Sequence, residues 1–327
     1  MKRTVLIIVG GSGYIGAHVA QAFVGAGYHV VILDPQCISN FLLTSGEVVQ
    51  GQIGDYALLL SLFKKNRFDF VIHCAWLSDE TQSYSMPAVW YENHLVETIV
   101  LLTVMKEEAC NKIIFTSSAS VYGDVYEQYI TETHSLDPIS PFGRVKYALE
   151  TMFLDYAYAY GLQYIILRLF TVSGVIEGIA PDILDPISLA LESMIRDEAF
   201  SLSRGLDTYD GSLERDFIHV TDVACAYILA ANHLLEQSVS EICNLGTGKR
   251  TSYLELIRII EQHSGRIIKL QTKKGFVQES KCLVADSSWA KMILGFSPEC
   301  SDMDIIIRSI AKHKGIFLEQ KNTTSFV

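Results

Sequence analysis

The sequence lacks what marks a nucleic-acid or membrane protein. It has 26 Lys and Arg against 37 Asp and Glu, a formal net charge of −11, and the cations form no stripe. Phosphate backbones and anionic lipid surfaces reward such a stripe, so neither a nucleic acid nor a membrane is an expected partner. No apolar run reaches the roughly 18 residues of a membrane span. The opening MKRTVLIIVGG imitates the basic and apolar parts of a secretion signal, but its apolar run breaks at Gly10 after five residues, which suits a buried strand better. Seven cysteines, at 37, 74, 110, 225, 243, 282 and 300, are odd in number, lack CxxC spacing and sit mostly in apolar context, the pattern of reduced core thiols. Nine histidines without HxxxH or HExxH spacing argue against a metal site. There is no internal repeat and no low-complexity segment. These absences leave a soluble, cytoplasmic protein with a small ligand as the expectation.

What is present is core. A chain of 327 residues that is 49% hydrophobic can bury one large domain or two closely joined ones. Runs at 4–9, 29–33, 68–74, 112–117 and 162–170 read as strands. Helical patterns near 14–25, 56–65, 87–109 and 142–160 lie between them. Strands that are apolar throughout must be covered on both faces, which predicts a Rossmann-type, doubly wound parallel α/β sheet. After residue 175 the pattern loosens into loops rich in Gly, Pro and Asp. Ligands of open α/β sheets bind at the carboxyl ends of the strands, so this smaller, loop-rich region is expected to cap that edge. The expected division is 1–175 plus about 216–247 for a dinucleotide-binding domain, 176–215 plus 248–315 for a substrate region, and 316–327 for a frayed tail.

VGGSGYIGAHVA sets Gly10, Gly13 and Gly16 directly after the first strand and at the opening of a helix. By themselves such glycines serve any tight turn. In this position they also let backbone amides approach a pyrophosphate at the positive end of a helix. Asp34 ends the next strand, 18 residues after Gly16, where a carboxylate would accept from an adenosine ribose diol and repel a 2′-phosphate. NAD is therefore expected over NADP.

From these motifs the chain resembles the extended short-chain dehydrogenase/reductase superfamily, and within it the UDP-glucose (UDP-galactose) 4-epimerase branch. The resemblance runs from about residue 4 to 310. It is carried by the glycine turn and then, in order, by ILDPQC, FDFVIHCA, TSSASVYGD, SPFGRVK, LRLFTVSG, RDFIHVTDVA and CNLGTGKRTSYLELI. It implies a homodimer, a nucleotide-sugar ligand such as a UDP-sugar, and a reversible redox cycle at sugar C4. It implies cofactor contacts at Gly10, Gly13, Tyr14, Ile15, Gly16, Asp34, Gln52, Ile53, Ala75, Asn93 and Lys146. Ser118 would bridge the sugar hydroxyl and the base. Lys146 would hold the nicotinamide ribose and stabilise a tyrosinate. Thr171, Arg215 and Leu283 would join Ser118 around the substrate, with Arg215 on the diphosphate. Alone, Ser118, Lys146 and Arg215 would pass as ordinary strand-end, helix and surface residues.

The general base of the family is a tyrosine, and here that position is Phe142. Phenol has a pKa of about 10, and lowering it to about 7 takes roughly 4 kcal/mol of electrostatic help. Phe142 has nothing to ionise. Tyr147 lies about 140° around an ideal helix from Phe142 and faces elsewhere, and Tyr122 is no evident substitute. Other departures surround the cleft: Gln52 where an aspartate is usual, Trp76 and Ser78 for glycine and lysine, and Thr171 for asparagine. No late arginine precedes Ala285–Asp286, where only Lys281 is at hand. So many changes favour natural divergence over a single substitution. TSSAS has no acid at 118–120, which disfavours 4,6-dehydratase chemistry. The readings left open are an impaired epimerase, a catalytically silent NAD or nucleotide-sugar binding module, and a reductase on a nucleotide-linked carbonyl.

Overall fold

The computed structural model describes residues 3–8, 13–35, 46–74, 82–125, 127–176, 185–202, 208–272 and 280–316. Gly10, Cys37, Ala75, Trp76, Ser78 and the 317–327 tail fall outside them. The strands are β1 (Thr4–Ile8), β2 (His29–Asp34), β3 (Glu47–Gln50), β4 (Phe70–His73), β5 (Lys112–Ser118), β6 (Gln163–Leu169) and β7 (Thr171–Ser173). They continue with β8 (Phe200–Leu202), β9 (Glu214–Arg215), β10 (Phe217–His219), β11 (Glu241–Leu245), β12 (Thr251–Ser252), β13 (Leu270–Thr272) and β14 (Cys282–Leu283).

Seven strands form one parallel sheet in the order β11-β6-β5-β4-β1-β2-β3. The reason is visible in β2. Val30 and Ile32 enter a core shared with the helices Tyr14–Gly25 and Val220–Gln237, while Val31 and Leu33 enter the opposite core under Tyr56–Lys65, Glu97–Glu107 and Pro141–Tyr160. A strand with apolar residues on both faces is stable only between two helical layers. A third core, around Leu191, Leu256 and Ile307, belongs to the later helices Pro186–Arg196, Tyr253–Ser264 and Met303–His313.

From β1 the chain winds outward one way through β2 and β3, then the other way through β4, β5, β6 and β11. The switch between β1 and β4 opens a crevice at the carboxyl ends of the strands. The five expected strands form, with ends shifted by one or two residues. β4 begins at Phe70 because Phe68 packs outside the ladder, with its ring 4.9 Å from that of Phe63. β3 and β11 were not anticipated. The helical stretch expected over 87–109 is interrupted: Pro87–Tyr91 passes through a wide π-turn, Glu92–Val96, into Glu97–Glu107. Among the described residues no helix is long and apolar enough to cross a membrane. The six described cysteines are free, yet Cys225 is exposed rather than core.

Candidate active site

The glycine turn and the end of β2 form the first corner. Helix Tyr14–Gly25 starts from Gly13 in the left-handed region (φ 62°), with no side-chain cap among the described residues and no acid in its first turn. Its first amides are thus available to an anion. Ile15 is half-buried and Gly16 buried. Asp34, only 3% exposed, is the last residue of β2, and its carbonyl accepts from Gly51 N at 3.1 Å. Gln52 and Ile53 follow directly, ahead of the helix capped by Asp55, whose carboxylate accepts from Leu58 N. Gly10 and Ala75, expected beside these residues, lie outside the described segments.

The second corner is built on helix Pro141–Tyr160. Ser140 caps it by accepting from Gly143 N at 3.0 Å, and Pro141 fills its first turn. A Cβ on Gly143 would stand 2.5 Å from the Ser120 carbonyl oxygen, so only glycine lets this helix press against the turn that follows β5. That contact sets the first turns of the helix, which carry Phe142 and Lys146, against the short turn that Ser118 opens. Ser118 Oγ caps the turn, accepting from Ser120 N and lying 3.0 Å from Ser120 Oγ. Lys146, 2% exposed, donates to Thr116 O at 2.6 Å, and its ammonium stands 4.9 Å from the Phe115 ring centre and 5.9 Å from that of Phe142. Trp90 closes the far side, edge-on to Phe142 at 6.0 Å. The π-turn holds Asn93 and the neighbouring His94, and such wide turns recur where a helix is shaped around a site.

The two buried histidines nearest the Lys146 charge are held neutral at pH 7. Burial, helped by the Lys146 charge, pushes both His73 and His94 down to about 3. His73 Nε2 pairs with Thr98 Oγ1 at 3.0 Å, and that hydroxyl donates to His94 O. Burial raises Tyr122 to about 12 despite the opposing pull of Arg168. Its hydroxyl donates to Asn244 Oδ1 at 2.7 Å and accepts from Arg168 Nη1 at 2.9 Å. Arg168 Nη2 in turn meets Glu150 at 2.7 Å, and Ser117 Oγ donates to the same carboxylate. Tyr122 is therefore fixed in a buried network behind β5. Tyr147 is exposed, on the other side of its helix.

The third corner gathers the expected substrate residues. β9 lies between β12 and β14, with Arg215 opposite both Thr251 and Leu283. Thr171 N donates to Asp216 O at 2.9 Å, and β7 pairs with β10, so Thr171 lies beside the residues that directly follow Arg215. Buried Asp216 holds the following loop by accepting from Thr247 and Gly248, and burial raises its pKa. Arg215 donates to Glu214 O and rests over the Tyr253 ring at 5.8 Å. Arg250, missed in the sequence, pairs with Glu214 at 3.2 Å and brings a second guanidinium to this corner. Its adjacency to Arg215 arises from β12–β9 pairing, which no local spacing announces.

The model of the NAD dependent epimerase/dehydratase family matches residues 6–246, which covers the first two corners and, of the third, Thr171 and Glu214–Asp216. The chain belongs to that family. It is 34% identical over 310 residues to the UDP-glucose 4-epimerase of Halalkalibacterium halodurans, covering 92% of this chain and 93% of that one. The UDP-glucose 4-epimerase of Brucella ovis, solved in complex with NAD, superposes with a TM-score of 0.90 at 34% identity, covering 97% of this chain and all of that chain. The Bifidobacterium longum enzyme, solved with NAD+ and UDP, gives a TM-score of 0.84 at 29% identity over 95% and 98% of the two chains. The fold is thus the extended short-chain dehydrogenase/reductase fold of the nucleotide-sugar epimerase type. The residues present fit a dinucleotide: a helix that starts from left-handed Gly13, a buried carboxylate at the end of β2 and a buried lysine bonded to the carbonyl of Thr116 in β5.

Proposed function

We propose that this chain binds NAD and a UDP-hexose and is a 4-epimerase-type protein impaired at proton transfer. The observation that carries the reading is Phe142, one turn before buried Lys146 on helix Pro141–Tyr160, at the position where the resembled family has its base. Gly10, Gly13, Tyr14, Ile15 and Gly16 would carry the pyrophosphate, Asp34 the adenosine ribose, and Gln52, Ile53 and Ala75 the adenine side. Asn93 and Lys146 would line the nicotinamide end. Bound there, NAD would supply reversible hydride transfer at the sugar carbon. Ser118 Oγ would hydrogen-bond the reacting hydroxyl, and the buried Lys146 charge would favour loss of its proton. Arg215 would hold the diphosphate beside Thr171 and Leu283. The Phe142 ring fills the base position but accepts no proton, and the Tyr122 phenol is both bonded away and raised to about 12.

The domain division read from the sequence belongs to this proposal, with residues 176–215 and 248–315 around the nucleotide sugar. So does a homodimer, supported by exposed Tyr91, Val96 and Ile99 on one helical stretch and Tyr147, Leu154 and Tyr158 on its neighbour. A silent binding module is the second reading, favoured by the same missing oxygen. Assaying UDP-galactose conversion to UDP-glucose by the unaltered chain and by Phe142→Tyr, alongside NAD content, separates the two. A low rate in the chain that rises with tyrosine supports impairment. An inert tyrosine variant that holds NAD would remove the epimerase reading of the substrate.

A further inference from the structure

One hexapeptide, residues 171–176, touches every lobe around the crevice. At its start Thr171 N donates to Asp216 O, beside Arg215. Ser173 Oγ donates to Asp185 at 2.6 Å, and Asp185 caps helix Pro186–Arg196 in the later part of the chain. Gly174 O accepts from the Tyr14 hydroxyl at 2.6 Å. Val175 N donates to Ser309 Oγ at 3.1 Å, and Ile176 N donates to His18 Nε2 at 3.3 Å.

The histidines in this knot have fixed roles. His18 Nδ1 lies 2.6 Å from Tyr14 O, which can only accept, so Nδ1 carries the hydrogen and Nε2 is free to accept from Ile176. Burial lowers His18 to about 4, which keeps that neutral form at pH 7. His219 is the reverse: Nδ1 accepts from Thr221 N at 3.1 Å, and Nε2 donates to Ser309 Oγ at 3.3 Å. Gly174 has φ +89°, and a Cβ there would stand 2.3 Å from the His219 ring. The segment therefore has little room to move unless the first turn of helix Tyr14–Gly25 moves with it.

We propose that the Tyr14 hydroxyl and the His18 imidazole are positioning residues that make dinucleotide and nucleotide-sugar binding cooperative, by tying the Gly13 turn to residues 171–176. The inference rests on the proposed binding of both ligands around this crevice. A ligand that orders one end of the knot removes part of the ordering cost at the other, and linkage makes the effect reciprocal.

NADH fluorescence titrations with and without saturating UDP test it on the full chain. Saturating UDP is expected to tighten NADH about fivefold or more in the unaltered protein. In Tyr14→Phe, which deletes one oxygen, that ratio is expected to fall close to one. If Tyr14→Phe does not fold, His18→Gln carries the same expectation. A purely structural role would lower the melting temperature and leave the ratio alone. Unchanged ratios in the variants, or a ratio of one in the unaltered chain, would overturn the coupling and leave the binding reading intact. A chain that binds neither NADH nor UDP would overturn both.

Discussion

The corner around Gly13 and Asp34 and the corner around Phe142 sit on the same carboxyl edge of one sheet. Each carries a departure from the pattern the sequence resembles, Gln52 in the first and Phe142 in the second. The first keeps a left-handed glycine at its helix start and a buried strand-end carboxylate. The second keeps its scaffold: the Ser140 cap, the close Gly143 contact, the Ser118 turn and buried Lys146. On the proposed reading, what it lacks is one phenolic oxygen. A frame that positions charge and a group that moves a proton are thus separable, because packing and capping fix the frame while a single atom performs the transfer.

The largest effect expected from breaking this comparison lies in the catalytic corner. In the Phe142→Tyr background, Lys146→Met is expected to reverse the gain, a loss of about 10²- to 10⁴-fold in turnover. In the unaltered chain the same change is expected to alter turnover far less, since there is no phenol to assist. Steady-state rates on UDP-galactose for the four combinations check this, with coupling read from the double-mutant cycle.

Next comes the scaffold under that corner. Glu150→Gln removes the carboxylate paired directly with Arg168, both side chains being 3% exposed, and removing one partner of such a pair costs about 3–5 kcal/mol. Urea unfolding is expected to show that loss. An unchanged midpoint would mean that the Tyr122 and Glu132 contacts suffice for Arg168.

On the nucleotide side, His18 contributes a pH dependence. Its folded pKa, about 4, lies below its ordinary 6.5, so the unfolded chain binds more protons between those values. Its stabilising contribution is present above pH 6.5 and is lost as pH falls toward 4, at about 1.4 kcal/mol per unit. Buried Asp185 and Asp216, whose pKa values are raised, act in the opposite direction, so the comparison is with His18→Gln. That variant is expected to lose urea midpoint less steeply from pH 6.5 to 4 than the unaltered chain.

Much of this was legible in the sequence. Helix Tyr14–Gly25 and strands β1, β2, β5 and β6 announce themselves because their apolar runs are long and bounded by glycine or polar turns. β3 does not, since EVVQ offers four residues, two of them polar, and none is fully buried. The π-turn at Glu92–Val96 carries no proline or glycine to mark it. The Trp90–Phe142 contact joins residues far apart in the chain, and Arg250 reaches Glu214 only through the β12–β9 pairing. Local pattern shows elements and motifs, while the walls of the site come from pairings between them.

The smallest effect concerns the cofactor alone. Asp34→Asn is expected to weaken NAD by about 1.5–3 kcal/mol, the worth of hydrogen bonds to a charged group, and to narrow its preference over NADP. Calorimetric titration of both cofactors measures it.

On the proposed reading, binding survives where proton transfer has failed. That reading is tested most directly by turnover of saturating UDP-galactose in the unaltered chain and in Phe142→Tyr, with NAD and UDP affinities measured on the same samples. The expected result is matched affinities with turnover about 10²- to 10⁴-fold higher in the tyrosine variant. Equal turnover in the two proteins would contradict it.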